Sequence, residues 1–424
     1  MRRLTVSIEI NGVKVIAGSI SGNGPDDAAF SYAEDYLAKK DSSALSLSLP
    51  LREEPYPPAA TKAFFEGLLP EGYTRRSVAE WMHVGEDDYL SILAGLGREC
   101  IGAIQVTEGD AGDVRPEYRR LSPEEIMELA AEGSTESTQM LTESHLSLAG
   151  ASGKVGLYRH RDEWYLPVGD APSTHIVKQS HVRFDNIVLN ERLVMLTAGK
   201  LGIEVPESFV INTGKGADRD VLFAARRYDR DLMSGRSVSG MPCPYRRHQE
   251  DIAQALGISA AGKYERIADT HLKMAADVLR YNSADPIEDL IRLWDLTVFN
   301  WLIGNTDNHI KNLAILYSPD LKSIRLAPAY DLLSTKIYRG STRNMSFSIG
   351  GKYRLEDIGT EEWKKAALDI GISPAIGIDR LYDKKGRLRN ALLEASQELC
   401  EELKVGPKDE LKNDIDDLTN RILN

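Results

Sequence analysis

Cysteine is scarce in this sequence, with three residues among 424: Cys100, Cys243 and Cys400. They are far apart and form no Cys-x-x-Cys pair, so neither a disulfide framework nor a zinc site is expected, and a reducing compartment fits. Long apolar runs are also missing, because none reaches the ~20 residues needed to cross a bilayer. We therefore expect a cytoplasmic protein that does not act in a membrane.

Positive charge is in deficit as well. Lysine and arginine total 52 against 64 acidic residues, which gives a formal net charge of -12. This balance argues against direct nucleic-acid binding by the body of the protein. The 42% hydrophobic and 27% charged residues are those of an ordinary globular protein. At about 150 residues per domain, the length predicts two or three units.

The pattern of apolar residues changes along the chain. Alternation on both sides of Asn11-Gly12 predicts an amino-terminal hairpin with a type I′ turn. From about residue 144, strand patterns alternate with glycine-rich turns, and after about residue 248 helical spacing dominates. We predict an α+β fold in three parts, residues 1–143, 144–245 and 246–424, of which the last is all-helical.

A glycine-rich segment, SLAGASGKVGLY, covers residues 147–158 between two predicted strands. Glycines let the backbone approach a ligand closely, and exposed N–H groups can cradle phosphate oxygens. A plain glycine-rich hairpin turn explains the same pattern, so both interpretations stay open. The candidate phosphate-binding residues are Gly150, Ala151, Ser152, Gly153 and Lys154.

Lys178 ends THIVK, a predicted strand further along the chain. A strand lysine behind a glycine-rich loop is how protein kinases hold the α- and β-phosphates of ATP, and a helix glutamate then pairs with it. Glu191, thirteen residues further on, starts the following predicted helix. The alternative is a solvated lysine and a glutamate favoured by the helix dipole.

The most informative segment is WLIGNTDNHIKN, residues 301–312. It follows a helix that Asp285-Pro286 should begin and Gly304 should end, with an apolar surface that predicts burial. Polar residues between two buried apolar segments are costly unless they bind a ligand or one another. Phosphoryl transfer needs a carboxylate to orient the nucleophile and an amide oxygen to hold magnesium. Asp307 and Asn312 suit these roles, Lys311 can neutralise the transferred phosphate, and His309 can orient Asp307 or touch phosphate.

Asp331 lies in LAPAYDLLST, 24 residues after Asp307. The apolar pattern predicts a strand that delivers Asp331 at its end. The spacing is similar to that of the kinase aspartate which binds magnesium between the β- and γ-phosphates. Taken alone, Asp331 could instead cap a following helix.

These segments together resemble the HipA family of bacterial kinase toxins, whose fold is closer to lipid kinases than to ordinary protein kinases. The resemblance covers nearly the whole chain, because FFEGLLPEG and GRECIGAIQV near the amino terminus look like the family's first domain. It implies an amino-terminal subdomain, a nucleotide-binding lobe and a catalytic lobe. The other matching segments include RRYDR (226–230) and HQEDIAQALGISAAGKYE (248–265).

The resemblance implies a serine/threonine kinase that uses ATP and Mg²⁺. Lys178 would bind the ATP phosphates, Asp307 would be the catalytic base, and Asn312 and Asp331 would hold magnesium. Arg226 and Tyr228 would lie at the adenine hinge. Ser147 would be an inhibitory autophosphorylation site, with Ser152 as a competing one.

The resemblance also implies partners: an aminoacyl-tRNA synthetase as the protein substrate and a small helix-turn-helix antitoxin similar to HipB, through which DNA is reached indirectly. Ser152-Gly153 and Arg226 depart from the family pattern, which leaves the phosphosite and the hinge less defined. Two other functions remain: a kinase acting on a small molecule or lipid, and a non-catalytic module that tethers an antitoxin.

Overall fold

The computed structural model describes residues 1–109, 115–132, 138–141, 153–180, 184–214, 216–232, 235–268 and 270–424. Within these ranges the helices are α1 (Glu34–Leu37), α2 (Pro58–Phe65), α3 (Gly72–Trp81), α4 (Tyr89–Leu96), α5 (Pro123–Glu132), α6 (Ile187–Lys200), α7 (Ile252–Leu256), α8 (His271–Asn282), α9 (Pro286–Ile303), α10 (Thr360–Asp369), α11 (Pro374–Leu403) and α12 (Glu410–Leu423). None of the helices in the described ranges has the length and apolar character that a membrane span requires.

The strands are short for the most part. They are β1 (Arg2–Ile10), β2 (Val13–Gly22), β3 (Ala29–Tyr32), β4 (Ile104–Glu108), β5 (Glu117–Arg120), β6 (Lys154–His160), β7 (Glu163–Val168), β8 (His175–Gln179), β9 (Ser208–Asn212), β10 (Val221–Arg226), β11 (Arg230–Asp231), β12 (Ser237–Val238), β13 (Met241–Pro242), β14 (Tyr245–Arg246), β15 (Gln249–Asp251), β16 (Ala314–Tyr317), β17 (Ile324–Leu326), β18 (Asn344–Ile349) and β19 (Lys352–Arg354).

Two compact units divide the chain. The first unit contains Met1–Gln179, Arg226–Ala260 and Leu316–Ile324. The second unit contains Ser180–Ala225, Ala261–Ile315 and Arg325–Asn424. Each unit therefore gathers segments that are distant in sequence.

In the first unit, β1 lies between β2 and β4 in an antiparallel sheet of order β3-β2-β1-β4. Alternate residues of β1, Leu4, Val6 and Ile8, are at most 1% exposed, as the two-residue period of a strand requires. Asn11 and Gly12 have φ of 50° and 77°, so the predicted type I′ hairpin is confirmed.

A second antiparallel arrangement in the first unit runs in the order β5-β7-β6-β8. The rings of Tyr118 and Tyr158 stack with centroids 3.8 Å apart and form part of a small core with Ala171. Strand β8 contains Lys178, so the predicted strand THIVK is confirmed.

Helix α9 organises the second unit, where α8 and α11 pack against it. Its bounds are those predicted: a carboxylate oxygen of Asp285 accepts a hydrogen bond from the backbone N–H of Glu288 at 3.2 Å, and Gly304 ends the helix with φ of 69°. Trp294 is fully buried on this helix, which confirms that most of it is interior. Ile287 in the first turn differs, being 79% exposed.

The region after residue 246 is not all-helical, which corrects the prediction. It contains β15 to β19, of which β18 and β19 form an antiparallel pair. The sequence of β18, NMSFSI, alternates apolar residues with serines, and five of its six residues are buried. The two-residue period of a strand is therefore present in this short segment, and the prediction missed it. Gly350 and Gly351 connect the pair with positive φ of 57° and 90°.

Candidate active site

The predicted catalytic loop begins where α9 ends. The left-handed Gly304 turns the chain out of the helix. Its carbonyl accepts hydrogen bonds from the backbone N–H of Thr335 at 3.1 Å and of Lys336 at 3.0 Å, and from the Thr335 hydroxyl at 3.0 Å. The hydroxyl of Ser334 donates to the carbonyl of Ile303 at 2.6 Å. The loop is thereby fixed to the segment that follows Asp331.

Asn305 connects three parts of this site from a buried position. Its Nδ2 donates to Oδ1 of Asn300 on α9 at 2.8 Å and, at 3.4 Å, to the carbonyl of Asp331. Its Oδ1 accepts a hydrogen bond from the backbone N–H of Asp307 at 3.3 Å. Asn305 therefore holds the chain at both predicted aspartates, a role that sequence spacing alone did not indicate.

Asp307 exposes its side chain while its backbone is fully engaged. Its carbonyl accepts a hydrogen bond from the N–H of His309 at 2.9 Å and from Nδ2 of Asn312 at 3.0 Å. Its Oδ1 accepts a hydrogen bond from the hydroxyl of Tyr264 at 2.8 Å. The loop thus presents a carboxylate to solvent from a rigid backbone.

His309 and Lys311 are buried beside this carboxylate, 6% and 7% exposed. The ring of His309 meets the ring of Tyr264 edge-on, with centroids 5.3 Å apart. Lys311 lies on the 3-10 turn Ile310–Asn312, and its carbonyl accepts a hydrogen bond from the hydroxyl of Tyr330 at 2.9 Å. Tyr330 precedes Asp331, so a second bond ties the two loops together.

Asp331 does not lie at the end of a strand, which corrects the prediction. Strand β17 ends at Leu326, and Pro328, which cannot donate to a sheet ladder, follows it. Asp331 lies in the loop beyond, half-buried, with a left-handed φ of 52° that non-glycine residues adopt rarely and at a cost. Residues 332–335 form no helix, so Asp331 is not a helix cap.

The predicted phosphate-binding lysines come together in the first unit. Lys154 opens β6 and Lys178 lies opposite it on β8, since the register of the two antiparallel strands pairs them directly. Lys154 is buried and Lys178 is half-buried. Residues directly opposite each other on neighbouring strands lie on one face of the sheet. Gly153 precedes Lys154, whereas Ser147, Gly150, Ala151 and Ser152 lie outside the described residues.

The predicted hinge residues also lie in the first unit. Arg226 ends β10 and is exposed, and Tyr228 is half-buried. The hydroxyl of Tyr228 donates to Oε1 of Gln249. Arg226 is thus exposed at the end of β10, and its place at an adenine hinge stays a prediction.

The residues around Tyr228 form a buried ion cluster that the sequence did not predict, named here the Glu99 cluster: Glu99, Arg227, Asp229, Arg230 and Arg246. The carboxylate of Glu99 accepts hydrogen bonds from Arg227 at 3.2 Å, Arg230 at 2.8 Å and Arg246 at 2.9 Å. Burial alone would raise the pKa of Glu99, but Arg230, Arg246 and Arg227 outweigh it and lower this pKa to about 2. The cluster anchors residues 227–230 to the connection between α4 and β4, which contains Glu99.

Comparison with known proteins decides the family. The family model described as the HipA-like C-terminal domain matches residues 146–401, and that of the HipA N-terminal domain matches residues 8–107. The chain belongs to the HipA family. The α+β, HipA-type fold predicted from the sequence is thereby confirmed.

Relatives and solved structures agree with this membership. The chain is 32% identical to a putative kinase, Y4mE, of Sinorhizobium fredii, over 84% of each chain. It is 25% identical to the serine/threonine-protein kinase toxin HipA of Shewanella oneidensis, over 92% of this chain and 89% of that protein. The structure of the Shewanella oneidensis HipA, HipB and operator DNA complex matches with a TM-score of 0.80 at 23% identity, over 99% of this chain and 96% of that one. The relatives place the chain among HipA-type kinases.

Proposed function

We propose that this protein is a serine/threonine kinase that transfers the γ-phosphoryl group of ATP to a hydroxyl of a protein. The exposed carboxylate of Asp307, on a loop whose backbone groups are already hydrogen-bonded, is the observation that carries the proposal. A site that positions its groups in advance lowers the barrier of a reaction that depends on orientation and charge.

In the proposed reaction, three residues of the catalytic loop, Asp307, His309 and Lys311, have different roles. Asp307 accepts the proton of the acceptor hydroxyl. The hydroxyl oxygen forms a bond to the γ-phosphorus, the bond from this phosphorus to the bridging oxygen breaks, and ADP leaves with that electron pair. Lys311 neutralises charge on the transferred phosphoryl group, and His309 keeps the loop in place beside Asp307.

Asn312 and Asp331 fit a Mg²⁺ ion because they offer the oxygen ligands that this hard cation prefers. Nδ2 of Asn312 already donates to the carbonyl of Asp307, so Oδ1 is the amide atom left for a cation. Held by these two residues, Mg²⁺ would neutralise part of the charge on the ATP phosphates.

The nucleotide would be held by the first unit's predicted residues. The ammonium groups of Lys154 and Lys178, on one face of neighbouring strands, suit an anionic ligand such as the ATP phosphates. Gly150, Ala151, Ser152 and Gly153 would supply backbone N–H groups to the same phosphates. Arg226 and Tyr228 would stand at the adenine end.

We also propose partners and regulation for this kinase, on the basis of its family. The Shewanella oneidensis relative was solved with HipB and operator DNA, and we propose that a HipB-like antitoxin binds this chain too, with DNA reached through it. An aminoacyl-tRNA synthetase is the proposed acceptor of the phosphoryl group.

Ser147, or Ser152 in its place, is the proposed site of inhibitory autophosphorylation, because a phosphate there would repel the phosphates of ATP.

The Asp307→Asn variant tests the kinase. We expect wild-type protein with γ-labelled ATP and Mg²⁺ to label a protein in a bacterial extract, and the variant to lose about 10²–10⁴-fold of the rate, as removal of a general base does. ATP affinity, measured by calorimetry, should stay unchanged.

Asp379→Asn is the matched control, because it removes the same charge from an exposed position on α11. The control should label protein at the wild-type rate. Wild-type turnover by Asp307→Asn would refute the role of Asp307. Label on a small molecule or lipid, with none on protein, would identify the other class of kinase, and no transfer at all would favour a non-catalytic module.

A further inference from the structure

Tyr264 lies in the segment between α7 and α8. Its side chain is 46% exposed, yet its hydroxyl donates to Oδ1 of Asp307 at 2.8 Å. A half-exposed tyrosine has water as an alternative partner, so this bond forms only if the surrounding chain holds the ring at the loop.

Glu265, the next residue, supplies that support from one side. Its Oε1 accepts hydrogen bonds from the backbone N–H groups of Thr270 and His271, both at 2.8 Å. Its Oε2 accepts one from the N–H of Ser348 in β18 at 2.6 Å. A carboxylate at the first turn of α8 also interacts favourably with the helix dipole. Glu265 thus fixes the Tyr264 segment to α8 and β18 at once.

Strand β18 then leads back to the catalytic loop. The backbone N–H of Glu265 donates to the carbonyl of Ser346 at 3.0 Å, and the hydroxyl of Ser346 donates to the carbonyl of Thr306 at 2.8 Å. Thr306 is the neighbour of Asp307. A closed path of hydrogen bonds therefore sets the position of Tyr264 relative to Asp307.

The ring of Tyr264 has contacts of its own. It meets the ring of His309 edge-on at 5.3 Å, a favoured geometry for aromatic pairs. The ammonium of Lys263 lies 5.4 Å from the ring centroid, within the range of a cation–π contact. These contacts restrict the ring and thereby aim its hydroxyl.

We propose that Tyr264 is a positioning residue that orients the carboxylate of Asp307 for the acceptor hydroxyl. The bond to Oδ1 limits rotation of an exposed side chain and leaves Oδ2 to receive the proton. This inference rests on the proposed kinase function. A different role, in which the phenol occupies the place of the acceptor and competes with it, predicts effects of the opposite sign.

The Tyr264→Phe variant separates the two roles because it removes one oxygen and keeps the ring. We expect kcat for transfer of labelled phosphate to casein, and for phosphate release to water, to fall by about 10- to 100-fold, the effect of losing one hydrogen bond to a charged group. The KM values for ATP and casein should change less than about twofold, since the bond acts on the reacting group and not on binding.

Tyr281→Phe is the control, because Tyr281 at the end of α8 is 78% exposed and the same oxygen is removed. It should leave kcat and KM unchanged, and calorimetry should show equal ATP binding by both variants. An unchanged kcat in Tyr264→Phe, or a lower KM for casein with higher kcat/KM, overturns the positioning role. If the wild type itself transfers no phosphate while binding ATP, the kinase proposal fails and this inference fails with it.

Discussion

The Glu99 cluster and the catalytic loop are both rich in charge, but they are built in different ways. In the cluster, the side chains of Glu99, Arg227 and Arg230 are 1% exposed and satisfy one another. In the loop, the backbone N–H and carbonyl of Asp307 form hydrogen bonds, while its carboxylate is exposed to solvent. Charges that neutralise each other out of water hold segments together, whereas a charge kept in solvent on a fixed backbone remains available for chemistry.

This difference predicts where substitutions cost stability and where they cost activity. Breaking a buried ion pair leaves the partner charge uncompensated in a low-dielectric interior. Removing an exposed charge costs little stability, because water solvates what remains. The following predictions use that contrast, from the largest effect on stability to the smallest.

Glu99→Gln should give the largest loss of stability. The variant keeps the shape of the side chain but leaves Arg227, Arg230 and Arg246 with one counter-charge fewer. We expect the free energy of unfolding to fall by about 3–5 kcal/mol. Urea denaturation followed by circular dichroism measures this change.

Glu108→Gln serves as the comparison variant, since Glu108 pairs with Arg2 at the surface with 49% of its side chain exposed. It should cost less than about 1 kcal/mol. Equal losses in the two variants would show that burial does not distinguish the Glu99 cluster from a surface ion pair.

Glu250 is another buried carboxylate of the first unit, and its hydrogen bonds within the described part of the chain come from Ser46, Leu47 and Tyr317 and not from an arginine. Burial raises its pKa to about 7, although hydrogen bonds from Ser46, Tyr317 and the N–H of Leu47 act to lower it. The folded state therefore retains a proton that the unfolded chain, with a pKa near 4.5, releases earlier. The contribution to stability is complete below pH 4.5 and is lost as the pH rises through 7.

Glu250→Gln should remove this dependence, because a neutral amide replaces the neutral acid. Between pH 5 and 8 the wild type should lose as much as about 3 kcal/mol relative to the variant. Urea denaturation at several pH values tests the difference, with the exposed Glu54→Gln as control. If the free energies of unfolding of the wild type and of Glu250→Gln changed equally with pH, the predicted role of Glu250 would be wrong.

Local signals account for what the sequence predicted about the fold. Asn11-Gly12 requires positive φ at two successive residues, and both have it. Asp285 and Gly304 mark the two ends of α9 by capping preferences that act within one turn. Strand β18 was missed although its sequence, NMSFSI, alternates apolar residues with serines, because helical spacing dominates the rest of that region.

Contacts between distant segments account for what the sequence did not predict. Glu99 lies 128 residues before Arg227 and 131 before Arg230, and no local pattern indicates that they pair. Tyr264 lies 43 residues before Asp307 in a polar segment without periodicity. The spacing of Asp307, Asn312 and Asp331 indicated one site, but the bonds of Asn305 that connect its parts depend on the folded chain.

Asp285→Ala should have the smallest effect on the free energy of unfolding. It tests whether a residue that only stabilises the fold can be changed without loss of catalytic activity. Asp285 caps the start of α9 by accepting a hydrogen bond from the N–H of Glu288 at 3.2 Å. Loss of an amino-terminal cap costs about 1 kcal/mol. The catalytic loop is at the other end of the helix, where Asn300, Ser334 and Thr335 hold it. We therefore expect a slightly lower urea midpoint and a rate of phosphoryl transfer within about twofold of the wild type, since distant sites behave independently. A large loss of activity with this small loss of stability would show that the loop depends on the whole length of α9 and not on its local bonds.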